Sequence, residues 1–150
     1  MKKLLESNVI TQVGIIVKDI DKTSQAYADI FGIEKPEAVW TDSYKEAKTE
    51  YRGNSSEARA QLAFFDMGSI QLELIQPNEQ PSTWREFLEE KGEGVHHIAF
   101  VVDGLQEKVE AMEAEGMPLQ QKGEYTGGRY AYMDSVKELK VIFELLENDK

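Results

Sequence analysis

Apolar residues recur along this chain in two registers, and the order of the registers repeats. Residues 9–17 form a mostly apolar, β-branched run that reads as a strand. Asp19 or Asp21 is placed to cap the segment 22–31, where Ile20, Tyr27, Ile30 and Phe31 fall near one helical face. Gly32 suits the position just past a helix, and Pro36 stops further helix. Residues 58–67 read as a strand and Gly68-Ser69 as a tight turn. Residues 70–76 then alternate, with Ile70, Leu72 and Leu74 on one face and Gln71, Glu73 and Ile75 on the other.

The same order returns in the second half. Residues 95–102 read as a strand, and Asp103 is placed to cap a helix with the stripe Leu105, Val109 and Met112. Gly116 ends it. A short segment 117–121 and the turn Thr126-Gly127-Gly128 lead to a strand over 130–133. The last strand, 140–146, sets Val141, Phe143 and Leu145 against Ile142, Glu144 and Leu146. The expected fold class is therefore α+β: two βαβββ modules, about 9–76 and 95–147, forming one domain with a cupped mixed sheet and helices on its outer face. Residues 77–94 are the linker, with a short helix from Ser82 or Thr83 using Trp84, Phe87 and Leu88. The inner face, where the halves meet, is where a ligand pocket is expected.

Residues 34–58 break the pattern. They are polar, with Trp40, Tyr44 and Tyr51 scattered among charges and Gly53-Asn54-Ser55-Ser56 as a turn. The stretch reads as a long loop or a ragged strand pair, and a substrate loop and a solvated surface insertion fit it equally well.

Composition narrows the function. The hydrophobic fraction is 41% and the charged fraction 30% in 150 residues, which is ordinary for a globular domain. The formal net charge of -11 disfavours nucleic acid and anionic membrane as partners. The absence of cysteine excludes disulfides, thiolate metal sites and cysteine nucleophiles. No stretch is long and apolar enough for a signal peptide or a membrane span, so the cytoplasm is the expected location.

Four polar residues sit inside the strand pattern at matching places: Gln12 and His97 at the start of each module, Glu73 and Glu144 in the last strand of each. Taken singly, each glutamate reads as a solvated strand residue and the histidine as a packed one. If the glutamate faces also turn inward, two carboxylates are being buried, and a divalent cation resolves that cost. One imidazole, two carboxylates and one amide oxygen suit Zn²⁺, Ni²⁺, Co²⁺ or Mn²⁺. His96 is expected on the opposite face of its strand from His97, packed there or supporting a ligand from behind rather than acting as one.

The chain resembles the vicinal oxygen chelate superfamily, which includes glyoxalase I, methylmalonyl-CoA epimerase, extradiol dioxygenases and bleomycin-resistance proteins. The stretches that carry the likeness are Gln12-Val13-Gly14-Ile15-Ile16-Val17, Ile70-Gln71-Leu72-Glu73-Leu74-Ile75-Gln76-Pro77, Gly92-Glu93-Gly94-Val95-His96-His97-Ile98-Ala99-Phe100 and Val141-Ile142-Phe143-Glu144-Leu145. The resemblance implies paired βαβββ modules around a metal held at Gln12, Glu73, His97 and Glu144. It departs from the epimerase branch at Gln12, where histidine is common there. A second catalytic glutamate of the epimerase pattern would fall near Gln61, which is no base.

The resemblance further implies removal of a proton α to a carbonyl, with Glu144 as base, Glu73 as ligand and second acid or base, and Gln12 and His97 as ligands. The glyoxalase form acts on the hemithioacetal of a 2-oxoaldehyde. The alternatives are epimerisation of a branched acyl-CoA and non-catalytic binding of a small molecule. Lys45, Lys48, Arg52, Arg59 and Arg129 are the candidate cations for an anionic thioester. A homodimer is expected, since proteins of this kind pair modules within or between chains.

Overall fold

The computed structural model describes residues 3–150; Met1 and Lys2, part of the N-terminal segment and of the single domain read above, lie outside the described residues. The elements in chain order are β1 (Gln12–Ile16), α1 (Ile20–Phe31), β2 (Val39–Trp40), α2 (Tyr44–Ala47), β3 (Glu50–Tyr51), β4 (Asn54–Ser55), β5 (Ala60–Asp66), β6 (Gln71–Pro77), α3 (Thr83–Lys91), β7 (Gly94–Val101), α4 (Leu105–Ala114), β8 (Leu119–Tyr125), β9 (Gly128–Met133), α5 (Val136–Leu139) and β10 (Ile142–Asn148). The strands join one mixed sheet in the order β2-β5-β6-β1-β7-β10-β9-β8-β3-β4. β1 lies parallel to β6, and β7 parallel to β10. The two modules meet where β1 and β7 pair antiparallel, so one chain supplies both halves of the cup.

Alternation assigns the two faces. Leu72, Leu74, Ala63 and Phe65 point outward and pack with Val17, Ile20 and Tyr27 beneath α1. Phe100, Ala131, Met133 and Leu145 do the same beneath α4, against Leu105, Val109 and Met112. The α4 stripe is the one expected. The α1 stripe differs: Ile20, Ser24 and Ala28 are buried, while Ile30 and Phe31 are exposed at 78% and 50%. The i, i+4, i+8 row of α1 follows the curve of the sheet, and the last turn rolls off it.

The helix α3 of the linker has another task. Trp84 packs with Ile16, Ile75, Tyr132 and Ile142, residues whose strand parity is that of Gln12, Glu73 and Glu144. The helix therefore closes one end of the inner face. Trp84 Nε1–H donates to the Tyr132 hydroxyl at 3.0 Å, which satisfies a buried indole that would otherwise cost free energy.

The polar stretch 34–58 is neither free loop nor surface insertion. β2 pairs with β5 at one edge of the sheet, and the β3–β4 hairpin pairs with β8 near the other. Residues between them cross from module one to module two and roof the cup. The β3–β4 hairpin turns at Gly53, as the turn residues there and the strand-pair reading allow, whereas the β3–β8 pairing joins segments about half the chain apart and no local pattern announces it.

The cap of α4 is also non-local. Gly104, not Asp103, holds the cap position, at φ 70°, and no side chain of its own caps the helix. Glu147 of β10 accepts from Gly104 N–H at 2.8 Å and Leu105 N–H at 3.3 Å, and Arg129 pairs with it at 3.0 Å. The Gly104 N–H, followed by Leu105 N–H and Arg129, holds the Glu147 carboxyl below the usual carboxylate range despite an opposing burial effect. A depressed carboxyl contributes stability above its unfolded pKa that is lost as pH falls through the folded one. Glu147→Ala should therefore lower the melting temperature at neutral pH, with the difference from wild type shrinking under acid conditions. Equal differences at both pH values in thermal denaturation would contradict this.

Candidate metal centre

The register of β6, β1, β7 and β10 places two rows of residues across the inner face. One row runs Gln71, Gln12, Ala99, Glu144 and Tyr132. The next runs Phe64, Glu73, Gly14, His97 and Ile142. Gln12 lies diagonal to Glu73, and His97 diagonal to Glu144, so each module contributes the same pair of positions. Gly14 and Ala99 are the equivalent small residues between them, each facing the other module's donor.

The four expected ligands converge. His97 Nε2 lies 2.9 Å from Gln12 Oε1, 3.1 Å from Glu144 Oε1 and 3.4 Å from Glu73 Oε1. Glu73, His97 and Glu144 present ligand atoms all within 4.8 Å of one another. All four residues are buried. Gln12 Nε2–H donates to Gln71 Oε1 at 2.6 Å, which turns the amide oxygen of Gln12 toward the cluster.

Glu73 Oε1 and Glu144 Oε1 are buried and make no hydrogen bond. A carboxylate oxygen left this way is costly, and two beside one imidazole mark a place suited to a cation. Divalent ions such as Zn²⁺ bind such donors at about 2.0–2.2 Å, so neighbouring donors around one ion stand roughly 3 Å apart, as these do. The donor set fits the ion.

Electrostatics agree. Burial pushes the Glu73 carboxyl up to about 8, aided by the Glu144 charge and only partly opposed by His97. For His97, burial disfavours the imidazolium, yet the Glu144 carboxylate, with Glu73 behind it, outweighs that and holds it above the ordinary imidazole value. Burial, with His97 alongside, keeps His96 well below it.

His96 is not on the opposite face. The β1–β7 register slips so that Gly14 faces His97 while Ile15 faces Val95. His96 is the extra residue of this bulge, and the kink brings it to the inner side. Its ring lies 5.2 Å from that of His97 and 5.1 Å from that of Tyr132, with Phe87 of α3 edge-on at 5.4 Å.

Gly14, two residues from Gln12 on the same face of β1, owes its role to a contact that the sequence pattern does not show. A Cβ at Gly14 would stand 2.1 Å from His97 Cε1. The imidazole fills the space the glycine leaves.

A cavity of about 540 Å³ opens onto the cluster. Leu62, Phe64, Trp84, Tyr130 and Tyr132 wall it, and Trp40, Thr41, Asp42 and Thr49 of the crossing segment roof it. The position near Gln61 faces away from the site, in a groove with Gln76 and Ala38; β5 turns only Leu62 and Phe64 into the cavity. Of the candidate cations, Arg129 is tied to Glu147 and Asp149, and Arg52 to Glu86. Arg59 stacks over Trp40 at the mouth, 5.4 Å from its ring centre. Lys48 lies 4.0 Å from Glu124.

The fold and this cluster together place the chain in a known group. A family model for the Glyoxalase/Bleomycin resistance protein/Dioxygenase superfamily matches residues 11–132, and the chain belongs to that superfamily. It is 32% identical over 112 residues to the uncharacterized protein YqjC of Bacillus subtilis (strain 168), covering 75% of this chain and 70% of that one.

Solved structures share the fold at lower identity. Methylmalonyl-CoA epimerase from Mycobacterium tuberculosis superposes with a TM-score of 0.63 at 21% identity, over 100% of this chain and 93% of that one. A variant of the Streptomyces coelicolor epimerase in complex with 2-nitronate-propionyl-CoA gives 0.62 at 21%, over 95% and 99%. Hypothetical protein BH1468 from Bacillus halodurans C-125 gives 0.63 at 20%, over 94% of each chain.

Two tests follow from the geometry. Gly14→Ala should displace the His97 ring, destabilise the protein by about 1–3 kcal/mol through overpacking and abolish divalent-ion uptake; denaturant midpoints and zinc titration measure both. The second is pH dependence. The fold prefers the neutral Glu73 carboxyl, so its contribution is full below the ordinary value of 4.5 and is lost as pH rises through about 8. Chelator-treated protein should lose stability over that interval while its zinc affinity rises, because protons and metal compete for the site. Denaturation and calorimetric titration across the same pH range check the paired trend.

Proposed function

We propose that this protein is a metal-dependent lyase or isomerase that moves a proton on the carbon beside a carbonyl. The glyoxalase I-like form leads: the hemithioacetal of a 2-oxoaldehyde and a thiol is isomerised to a 2-hydroxyacyl thioester. The observation that supports this is the pair Glu73 and Glu144, flanking one imidazole nitrogen at the base of an aromatic-walled cavity, each with a buried oxygen that has only that nitrogen beside it.

Gln12, Glu73, His97 and Glu144 would hold a divalent ion, which when bound supplies Lewis acidity that makes the substrate C–H more acidic. Glu144 removes the proton from the carbon bearing sulfur and oxygen, and the electron pair of that C–H bond forms the enediol double bond. The same carboxyl then delivers the proton to the neighbouring carbon, while the hydroxyl proton of the former aldehyde carbon passes through Glu73 to the former ketone oxygen, so that the former aldehyde carbon becomes the thioester carbonyl. Glu73 serves as the second acid or base on the other side. Phe64, Trp84, Tyr130 and Tyr132 exclude water, so the proton is not lost to solvent between the two steps.

A second reading is epimerisation of a branched acyl-CoA. The methylmalonyl-CoA epimerases among the structural neighbours favour it, and one carboxylate on each side of the substrate would supply two bases. Glu73 would take the place that no residue of β5 fills.

Metal-reconstituted protein assayed on methylglyoxal with a thiol, and on methylmalonyl-CoA in D₂O, separates the readings. Thioester formation alone supports the glyoxalase reading, α-hydrogen exchange alone the epimerase reading, and neither, with ligand binding retained, a binding protein. Glu144→Gln is expected to lower whichever activity is found by about 10²–10⁴-fold with folding intact. Wild-type rates in that variant would remove Glu144 from the role of base.

A further inference from the structure

His96 has no place in the ligand set, yet it touches the imidazole that does. Its Nδ1 lies 2.9 Å from His97 Nδ1, and its Nε2 lies 3.2 Å from Thr83 Oγ1. Two ring nitrogens at that distance share one hydrogen, and which ring owns it decides what His97 can offer on its other side.

The far end of the hydrogen-bond chain answers this. Glu86 is a carboxylate engaged by the Arg52 guanidinium at 2.6 and 2.9 Å and by the Tyr51 hydroxyl, so it only accepts. Gln120 Nε2 stands 3.4 Å from Glu86 Oε1, which orients the amide with nitrogen toward Glu86. Gln120 Oε1 then faces Thr83 Oγ1 at 3.2 Å. A carbonyl only accepts, so the single hydroxyl hydrogen of Thr83 goes to it. Thr83 Oγ1 has only lone pairs left for His96, and His96 Nε2 must carry a hydrogen.

His96 is enclosed by Thr83, Phe87, His97 and Tyr132, none of which presents a negative charge, so it is a neutral imidazole with one N–H. That N–H is at Nε2. His96 Nδ1 is therefore an acceptor, and His97 Nδ1–H is its donor; without metal His97 Nε2 also carries a hydrogen, donated to Gln12 Oε1 at 2.9 Å, and a bound ion would take that hydrogen's place.

We propose that His96 is a positioning residue which, by accepting from His97 Nδ1–H, directs His97 Nε2 at Gln12, Glu73 and Glu144 as the metal-binding nitrogen. The inference rests on the metal-centre reading of this site and adds the element that orients its one nitrogen ligand. His96 is 1% exposed, Thr83 2% and Gln120 9%, so water does not compete along the chain. The bulge in β7 makes this contact possible, since strict alternation would turn His96 to the face opposite His97. The chain ends in a second cleft of about 390 Å³ behind α3, walled by Arg52, Glu86, Gln120 and Thr83. The orientation of the metal ligand is thereby tied to an ion pair outside the substrate cavity.

The test uses the whole protein labelled with ¹⁵N, with His96→Phe, His96→Gln and Thr83→Val. Long-range ¹H–¹⁵N correlation spectra should show His97 protonated at Nδ1 in both chelator-treated and zinc-loaded protein. Calorimetric zinc titration should show His96→Phe about 10–100-fold weaker, the size expected when a partner of a metal-bound histidine is lost. His96→Gln, whose amide oxygen accepts the same hydrogen bond, should recover most of the affinity. Thr83→Val should weaken zinc in the same direction by a smaller factor.

Zinc bound through His97 Nδ1, or unchanged affinity in a folded His96→Phe protein, would overturn the proposal. If His96→Phe does not fold, Thr83→Val and the spectra decide. If wild type takes up no divalent ion, the metal-centre reading fails, and the spectra of chelator-treated protein decide the His96 contact by themselves: a hydrogen on His97 Nδ1 with His96 protonated only at Nε2 supports it, and His96 protonated at Nδ1 overturns it.

Discussion

The rest of this structure depends on holding two carboxylates and an imidazole within hydrogen-bonding distance inside an apolar cup. Charges so placed cost several kcal/mol each unless they are paired or neutralised. Helices α1 and α4 cover the outer face, α3 closes one end of the inner face, and the crossing segment roofs it. Each removes water from the cluster and raises that cost. Protons relieve it in part, as the upward shifts of Glu73 and His97 record. A divalent ion would relieve it more fully, since it would engage both buried carboxylate oxygens, which have only the His97 ring nitrogen beside them.

The two modules solve the same local problem with different chemistry. Each offers one donor at the start of its first strand and a glutamate in its last. In module one the donor is an amide, and Gln71 binds its N–H so that its oxygen faces inward. In module two it is an imidazole, with His96 at its outer nitrogen. The symmetry stops there. The residue before Gln12 is Thr11, whose hydroxyl donates to Ala99 O at 3.1 Å, and β1 itself carries no extra residue to bring a second ring inward. Specialisation of the halves is thus visible as one bulge and one pair of rings.

What could be read from the sequence follows from what is local. Period-two runs divide the faces of β6 and β10 and set Glu73 and Glu144 opposite Leu72, Leu74, Phe143 and Leu145; that the glutamate faces turn inward is decided by the helices covering the other side. Helical spacing gave the α4 stripe, and the repeat of the two halves gave the pairing of Gln12 with His97. The features that escaped are those in which distant segments decide. Gly14 matters because a ring from β7 fills its missing Cβ. His96 turned inward because the register slips against β1, and Glu147 rather than Asp103 serves α4 because β10 ends beside its first turn. Ile30 and Phe31 extended an apolar row that the sheet curves away from.

Likeness to the epimerase structures at about a fifth identity establishes the fold and leaves substrate recognition to this chain's own residues. Among the described residues, the cavity lining includes Asp42 and Glu124 but no lysine or arginine. Arg52 and Arg129, which the sequence offered as cations for an anionic thioester, are committed to Glu86 and to Glu147 with Asp149. Arg59 on the Trp40 ring and Lys48 beside Glu124 stand at the mouth. Inside the cup the lining offers aromatic shape and the Gln12, Glu73 and Glu144 donors, and an anionic group would meet cations only outside it, where screening by salt makes each ionic contact worth least. An anionic carrier such as a nucleotide thioester would gain little from its charge here, so the acyl or aldehyde part that enters the cavity carries most of the discrimination.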